Sequence, residues 1–221
     1  MPEGAHLLVV DACSTDRTTS IARDAGAEVI QREWRGFIDA RLFALAHVHT
    51  EWTFMLDADE VIDARLRHSI AALDPQYLGY RVGRSTYFCG RPMRIWANER
   101  ILRLFRTARA RLRTTAQAVQ AEVHEAWSVD GPVGDLDGTL EHFSYPTMSA
   151  YRSKFDTYTD LEARAARSTS SQATAQSFWA VPRFLWLLFA RGGIQDGWRG
   201  IYVSFWSAWY AATVAWKAAH R

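Results

Sequence analysis

In the first third of the chain, short apolar runs with the character of β-strands alternate with segments that have the spacing of helices. Strands are predicted at HLLVV (6–10), AEVI (27–30) and WTFML (52–56). Helices are predicted at 16–25, where Gly26 ends the helix, and at 37–48. Strand alternating with helix is typical of parallel α/β folds, because parallel strands need a long crossover between them. The pattern therefore predicts an α/β fold with a mostly parallel sheet flanked by helices.

The remainder of the chain divides in two by composition. Residues 80–145 are richer in arginine, glycine and β-forming residues, and we expect short strands and loops there that build one side of a pocket. Residues from 148 onward have a helical, aromatic-rich pattern. We therefore predict one domain at 1–147 and a helical C-terminal region at 148–221, and 221 residues with 48% hydrophobic content can bury a sizeable core.

Charge and cysteine content exclude some functions and compartments. The formal net charge is only +2, so no overall field attracts nucleic acid. Cys13 and Cys89 have neither metal-ligand nor redox spacing, and the opening MPEGAHLLVV lacks the charge and length of a signal peptide. These features favour a reducing, cytoplasmic location.

Acidic residues follow two of the predicted strands. The first strand ends in Asp11, and the third is followed by Asp57 and Asp59 within LDADE. The carboxyl ends of parallel strands meet at one edge of a sheet, and residues two apart in an extended segment face the same way. Mg²⁺ and Mn²⁺ bind carboxylate oxygens and share their other positions with water and phosphates. The sequence therefore predicts a metal–diphosphate site at this edge.

Other interpretations of these short motifs stay open. Asp-x-Asp recurs by chance in acidic loops, and FMLDADEV also matches the start of haloacid-dehalogenase-like phosphatases. Those enzymes need a downstream lysine and a further acidic pair, whereas the lysines here are Lys154 and Lys217 alone and a βαβ unit precedes the aspartates. The polar residues Ser14, Thr15 and Asp16 also suit a helix N-cap.

The order of several motifs is more specific than any one of them. They are VVDACSTDRT (9–18), REWRGF (32–37), EWTFMLDADE (51–60), RILRLFR (100–106), EVHEAW (122–127), LEHFSY (140–145) and GGIQDGWRG (192–200). The set resembles family 2 glycosyltransferases of the GT-A fold, and most closely the branch of lipopolysaccharide-core glucosyltransferases, over about residues 7–217. The resemblance implies metal-dependent, inverting transfer of a hexose from a nucleotide diphosphate sugar to a cell-envelope glycan or glycolipid.

The resemblance also implies roles for individual residues. Asp11 corresponds to the aspartate that contacts the nucleotide base, Asp57 to a ribose or diphosphate contact, and Asp59 to a metal ligand. Glu125 corresponds to the base that takes the proton from the acceptor hydroxyl. His124 beside it would orient the acceptor or the carboxylate, or is a surface histidine.

Further candidates lie in the following motifs. His142 in LEHFSY is expected to complete the metal shell, since imidazole suits Mn²⁺, although a lone histidine is often structural. Arg41 lies in a helix of the donor site, but its neighbours Ala40 and Leu42 depart from the family, which usually has a polar residue and an asparagine there.

Ten arginines and one acid, Glu99, lie between Arg81 and Arg113. This patch would attract an anionic acceptor or neutralise the leaving diphosphate, or is a solvated basic face. Within it, we expect Arg103 and Arg106 to contact the donor, because their alternation with apolar residues would form a strand and aim them consistently.

The C-terminal region contains six of the ten tryptophans and an uncharged run of 17 residues from Gly200 to Trp216. That length is the lower limit of the roughly 17–25 residues that span a membrane. Aromatic residues with basic flanks favour the membrane interface instead. We expect helices that lie on the inner face of the plasma membrane, with burial against the domain or a full span as alternatives.

The motif order begins after the strand and Thr-Lys-Asn-Glu-like loop with which members of the resembled family usually start. A sheet without that strand would have unpaired backbone groups at its centre. A non-catalytic, membrane-associated protein that keeps the fold but has lost donor binding is therefore the second interpretation.

Overall fold

The computed structural model describes residues 4–114, 125–165 and 169–220. Its strands are β1 (Leu8–Asp11), β2 (Glu28–Gln31), β3 (Trp52–Phe54), β4 (Glu60–Ile62), β5 (Gly79–Phe88), β6 (Arg91–Pro92), β7 (Glu99–Arg106), β8 (Ala110–Thr114), β9 (Glu125–Val129) and β10 (Val133–Tyr145). Its helices are α1 (Thr18–Asp24), α2 (Phe37–Ala46), α3 (Ala64–Ala71), α4 (Met148–Ala165), α5 (Ser170–Phe189) and α6 (Trp198–Ala219), with 3₁₀ turns at Arg94–Trp96, Thr107–Arg109 and Gly193–Asp196.

The first βαβ unit forms where the sequence predicts it. Strands β1 and β2 pair in parallel from Leu8 opposite Glu28 to Asp11 opposite Gln31, and α1 connects them. The chain leaves α1 through Gly26, whose φ of 83° suits a residue without a side chain. The predicted α/β class is confirmed in this part of the chain.

A mixed sheet follows. In the described part of the chain, its strand order is β3-β7-β5-β10-β4, with β6 added to β5. Within this sheet β5 and β10 pair in parallel, and the other pairs are antiparallel. The sheet is thus less parallel than the sequence predicts. The segment after residue 79 forms long strands that pair mainly in antiparallel fashion, where short strands and loops were expected.

The two strands that lead toward the candidate site each pair along one edge only among the described residues. Strand β1 pairs with β2 alone, and β3 pairs with β7 alone. Each therefore presents one row of backbone groups without a strand partner among the described residues.

Buried apolar clusters join the sheet to the helices. One lies between α3 and the mixed sheet and includes Leu66 and Leu140. Another joins β5 to the C-terminal helices through Phe88, Tyr151 and Val203. Helix α4 begins at the boundary predicted near residue 148, yet the helical region shares this second core with the sheet.

A bend in β10 allows α3 to lie close to the sheet. Gly138 has a φ of 101°, and a Cβ atom there would lie 2.1 Å from the Leu66 backbone nitrogen. Gly138→Ala should therefore lower the free energy of unfolding by about 2–3 kcal/mol, measured by urea denaturation. Gly26→Ala is the matched control, because its φ is also positive but its Cβ would meet nothing within 4 Å. Equal losses in the two variants would contradict this account.

Candidate functional site

The candidate site begins at the turn between β3 and β4. The Glu60 amide donates to the Asp57 carbonyl at 3.0 Å, and the Asp57 amide donates to Glu60 Oε2 at 3.1 Å. Phe143 on β10 donates its amide to the Asp59 carbonyl at 2.8 Å. These contacts hold Asp57 and Asp59 in fixed positions at the end of β3.

Asp57 lies in a cluster of two carboxylates and two guanidinium groups. Arg103 Nη2 donates to Asp57 Oδ2 and to Glu60 Oε1, both at 2.6 Å, and Arg41 Nη2 donates to Asp57 Oδ1 at 3.1 Å. Burial opposes ionisation of Asp57, but the charges of Arg103 and Arg41 outweigh it and hold the pKa of Asp57 below its usual value. The Glu60 side chain has no exposed surface, so Arg103 is its buried counter-ion.

Asp59 and His142 come together on the neighbouring side of the turn. His142 Nε2 lies 3.3 Å from Asp59 Oδ2, and Thr86 Oγ1 lies 3.3 Å from His142 Nδ1. The hydrogen bond from His142 outweighs burial and, with Lys154 nearby, lowers the pKa of Asp59 to about 2. Asp59 is therefore an anion at any physiological pH, beside an imidazole whose orientation Thr86 supports.

These two side chains fit a divalent cation that is shared with a substrate. Within residues 4–114, 125–165 and 169–220, no group of three or more His, Cys, Asp or Glu side chains is arranged to hold a metal ion. A cation here would take one carboxylate and one imidazole ligand from the chain and its other ligands from phosphate oxygens and water. The donor set suits Mn²⁺ or Mg²⁺ bound together with a diphosphate.

Asp11 is buried at the end of β1, and its carboxylate orders the loop that follows. Its oxygens accept hydrogen bonds from the Ser14 amide at 2.9 Å, the Ser14 hydroxyl at 2.5 Å and the Gln31 amide group at 3.1 Å. The hydrogen bond from the Ser14 hydroxyl contributes most to lowering the pKa of Asp11. Asp16 accepts from the Thr18 amide just before α1, but the N-cap residue is Arg17 and its side chain makes no capping hydrogen bond, so the alternative cap role of Ser14, Thr15 or Asp16 is not met. The contact of Asp11 with a nucleotide base stays a prediction.

Arg103 and Arg106 do not share one face of β7, so the expectation that both contact the donor is wrong. Both lie on β7, but a spacing of three residues puts them on opposite faces of a strand. Arg106 pairs with Glu51 and lies over the Trp52 ring, at the beginning of β3. Asp57 lies beyond the other end of β3, three residues after Phe54.

Acidic side chains from inside and outside the arginine patch neutralise several of its members. Arg84 donates to both Glu99 oxygens, at 2.9 and 2.7 Å, and Arg100 pairs with Asp135 at 2.9 Å. A solvated, internally paired face therefore describes these residues better than an anion-binding surface.

The predicted base lies at the start of a strand. Glu125 is the first residue of β9, which pairs with β8, but its side chain and all of His124 lie outside the described residues. Their roles stay predictions.

Three residues of the site were not among the sequence candidates. Glu60 is adjacent to the acidic pair, and the apolar strand before it gave no sign of a buried carboxylate. Thr86 and Lys154 reach the site from β5 and α4, and only the rarity of lysine singled out Lys154.

Comparison with known proteins gives consistent matches. The family model described as Glycosyl transferase family 2 matches residues 2–127, which include the Asp57 turn and Arg103 but not His142. Lipopolysaccharide core biosynthesis glycosyltransferase LpsC of Rhizobium meliloti (strain 1021) is 29% identical over 231 residues, covering 98% of this chain and 83% of the relative. The uncharacterized glycosyltransferase RP128 of Rickettsia prowazekii (strain Madrid E) is 26% identical over 172 residues, covering 72% of this chain and 58% of that protein.

Proposed function

From the family match, which shows that the chain belongs to glycosyltransferase family 2 and has the GT-A fold, we propose a transfer reaction. In this reaction the protein moves a hexose from a nucleotide diphosphate sugar to a cell-envelope glycan or glycolipid. The name of the Rhizobium relative refers to lipopolysaccharide core biosynthesis, which supports an envelope acceptor. We further propose that the transfer needs a divalent cation and inverts the anomeric centre. The family match gives no support to the phosphatase alternative.

The juxtaposition of Asp59 and His142, 3.3 Å apart, carries the metal proposal. A bound divalent cation would stabilise the negative charge that develops on the leaving diphosphate. Asp59 and His142 would hold the cation, and the contact of Thr86 with the imidazole ring would support its orientation. Asp57, with one oxygen on Arg103, holds Arg41 at the edge of the site, where Arg41 would contact the donor.

Glu125 is the proposed general base. Inversion by a single displacement requires a group that takes the proton from the acceptor hydroxyl as the hydroxyl attacks. The position of Glu125 in the EVHEAW motif supports this role. His124 would orient the acceptor or this carboxylate.

Isothermal titration calorimetry with UDP-glucose tests donor binding. We expect binding heat in the presence of Mn²⁺, and loss of that heat after EDTA, because the chain itself provides too few ligands to bind the diphosphate without the cation. A protein that keeps the fold but has lost donor binding would give no metal-dependent heat. The absence of metal-dependent heat with UDP-glucose, GDP-sugars and ADP-sugars alike would overturn the proposed function.

An exposed apolar surface supports peripheral membrane association. No helix in the described residues has the length and apolar character needed to cross a membrane. The membrane-facing surface that we propose lies on α5, the following 3₁₀ turn and α6, and consists of Phe178, Trp179, Val181, Leu185, Trp186, Phe189, Ile194, Trp198, Ile201 and Phe205, all exposed. The opposite face of α6 is buried through small residues such as Gly200 and Ala208, so only part of the helix is free for lipid.

Vesicle flotation tests this surface. Phe178→Ser combined with Trp186→Ser should weaken binding to vesicles of phosphatidylglycerol and phosphatidylethanolamine roughly tenfold or more, because each buried aromatic side chain contributes about 1.5–3 kcal/mol. Trp34→Ser is the matched control, since Trp34 is 53% exposed but lies before α2. Equal flotation of all three proteins would contradict the proposal.

A further inference from the structure

An aromatic cleft of about 290 Å³ lies where the end of β10 meets α4, α5 and α6. Its walls include Trp96, Tyr145, Tyr151, Tyr158 and Tyr210. The Tyr145 ring lies 4.8 Å from that of Tyr151 and 5.5 Å from that of Trp96, so the aromatic groups form a continuous wall. Burial raises the pKa of both Tyr145 and Tyr151, which keeps their hydroxyl groups neutral. Such a cleft combines apolar ring faces with hydroxyl groups at their edges.

Lys154 connects this cleft to the candidate active site. It lines the cleft, and its Nζ lies 3.6 Å from Asp59 Oδ2 and donates to the Ser144 hydroxyl at 2.9 Å. The same side chain therefore contacts both the cleft and Asp59, the proposed metal ligand. A molecule in the cleft would therefore lie close to Asp59, the proposed metal ligand.

Two of the side chains that line the cleft are basic. Among the described residues that line it, Lys154 and Arg183 are basic and none is acidic. Arg183 is exposed on α5, and it has no hydrogen-bond or ion-pair partner within the part of the chain that the structure describes. An arginine without a partner at the mouth of an aromatic cleft is suited to a carboxylate or phosphate group of a ligand.

We propose that this cleft binds the acceptor, through a sugar unit that carries a carboxylate or phosphate group. The aromatic wall contacts the C–H face of the pyranose ring, the tyrosine hydroxyls bind its hydroxyl groups, and Arg183 with Lys154 binds its charge. The inference rests on the proposed function, since it assigns the acceptor side of the same reaction. It differs from the sequence-based expectation, which placed an anionic acceptor on the arginine patch.

A larger groove, of about 480 Å³, is a weaker candidate for the acceptor. It is lined by residues of β5, β7 and β10 that include Arg84, Glu99 and Arg100. Its Arg84 and Glu99 neutralise one another, and Arg100 is bound by Asp135. An anionic ligand in this groove would have to displace these carboxylates, whereas in the aromatic cleft Arg183 needs no such exchange and only Lys154 is already paired, with Asp59.

Saturation-transfer difference NMR on the full chain, without nucleotide or metal, tests the proposal. The probes are D-glucuronate, D-glucose 6-phosphate and methyl α-D-glucoside, with irradiation of the aromatic protons of the protein. We expect at least one charged sugar to bind five-fold or more tightly than the neutral glucoside. Arg183→Gln should remove this difference, and Lys154→Gln should reduce it. Arg67→Gln, which changes an exposed arginine on α3, should leave it unchanged.

Equal binding of the charged and neutral sugars, or an unchanged preference in Arg183→Gln, would overturn the inference. Failure of donor binding is a separate result, because the calorimetric test uses nucleotide and Mn²⁺ and this one uses neither. Metal-dependent donor binding without a preference for charged sugars would leave the proposed function standing and remove the acceptor assignment alone.

Discussion

The Asp59→Asn variant is expected to lose sugar transfer by about 10²–10³-fold while keeping its fold, with some loss of stability because the carboxylate's interactions with His142 and Lys154 are removed. Asparagine has the same size but lacks the charge that would hold a cation beside His142. The turn should persist, because it is fixed by backbone contacts that asparagine retains, such as the bond from the Phe143 amide to the carbonyl of residue 59. Release of UDP from the donor, with Mn²⁺ and a glycolipid extract as acceptor, measures the effect.

Two further variants make this result specific to the site. His142→Ala should also lower UDP release, by roughly tenfold or more, because it removes the other proposed ligand. Asp130→Asn, at an exposed aspartate after β9, should leave the rate and the thermal midpoint unchanged. Full activity of Asp59→Asn would remove the metal proposal, whatever the behaviour of the other two variants.

Features that depend on local sequence were the ones that could be predicted. The βαβ unit follows from the alternation of short apolar runs and helical segments, and the positions of Asp57 and Asp59 follow from the strand before them. His142 was chosen for its motif, and the structure places it beside Asp59 because β10 pairs with β4 at Glu60. A short stretch of sequence carries the information for the βαβ unit and the acidic turn, whereas His142 was identified through the family resemblance and reaches the turn by strand pairing.

Features that depend on long-range strand pairing were missed or misplaced. Arg103 meets Asp57 only because β7 lies antiparallel to β3, where the Met55 amide donates to the Arg103 carbonyl. Nothing within RILRLFR distinguishes a buried counter-ion from an arginine that binds substrate. The aromatic cleft likewise needs side chains from five separate elements, and no single segment contains its pattern.

Arg103→Met should lower the free energy of unfolding by about 3–5 kcal/mol, the usual cost of removing one partner of a buried ion pair. The Arg103 side chain is 5% exposed and lies between Asp57 and a Glu60 side chain with no exposed surface. Removing the guanidinium leaves the Glu60 carboxylate to Arg84, whose Nη1 lies 4.0 Å away and whose other donors are bound to Glu99. Chemical denaturation at neutral pH measures the loss.

A second substitution separates the charge effect from lost packing. Glu60→Gln in the Arg103→Met background removes the uncompensated charge while keeping the shape of the side chain, so we expect recovery of about half the lost stability. Asp57 then still has Arg41 as its counter-ion. If the double variant is no more stable than Arg103→Met alone, the loss comes from packing, and Arg103 is not the counter-ion that holds the acidic turn in place.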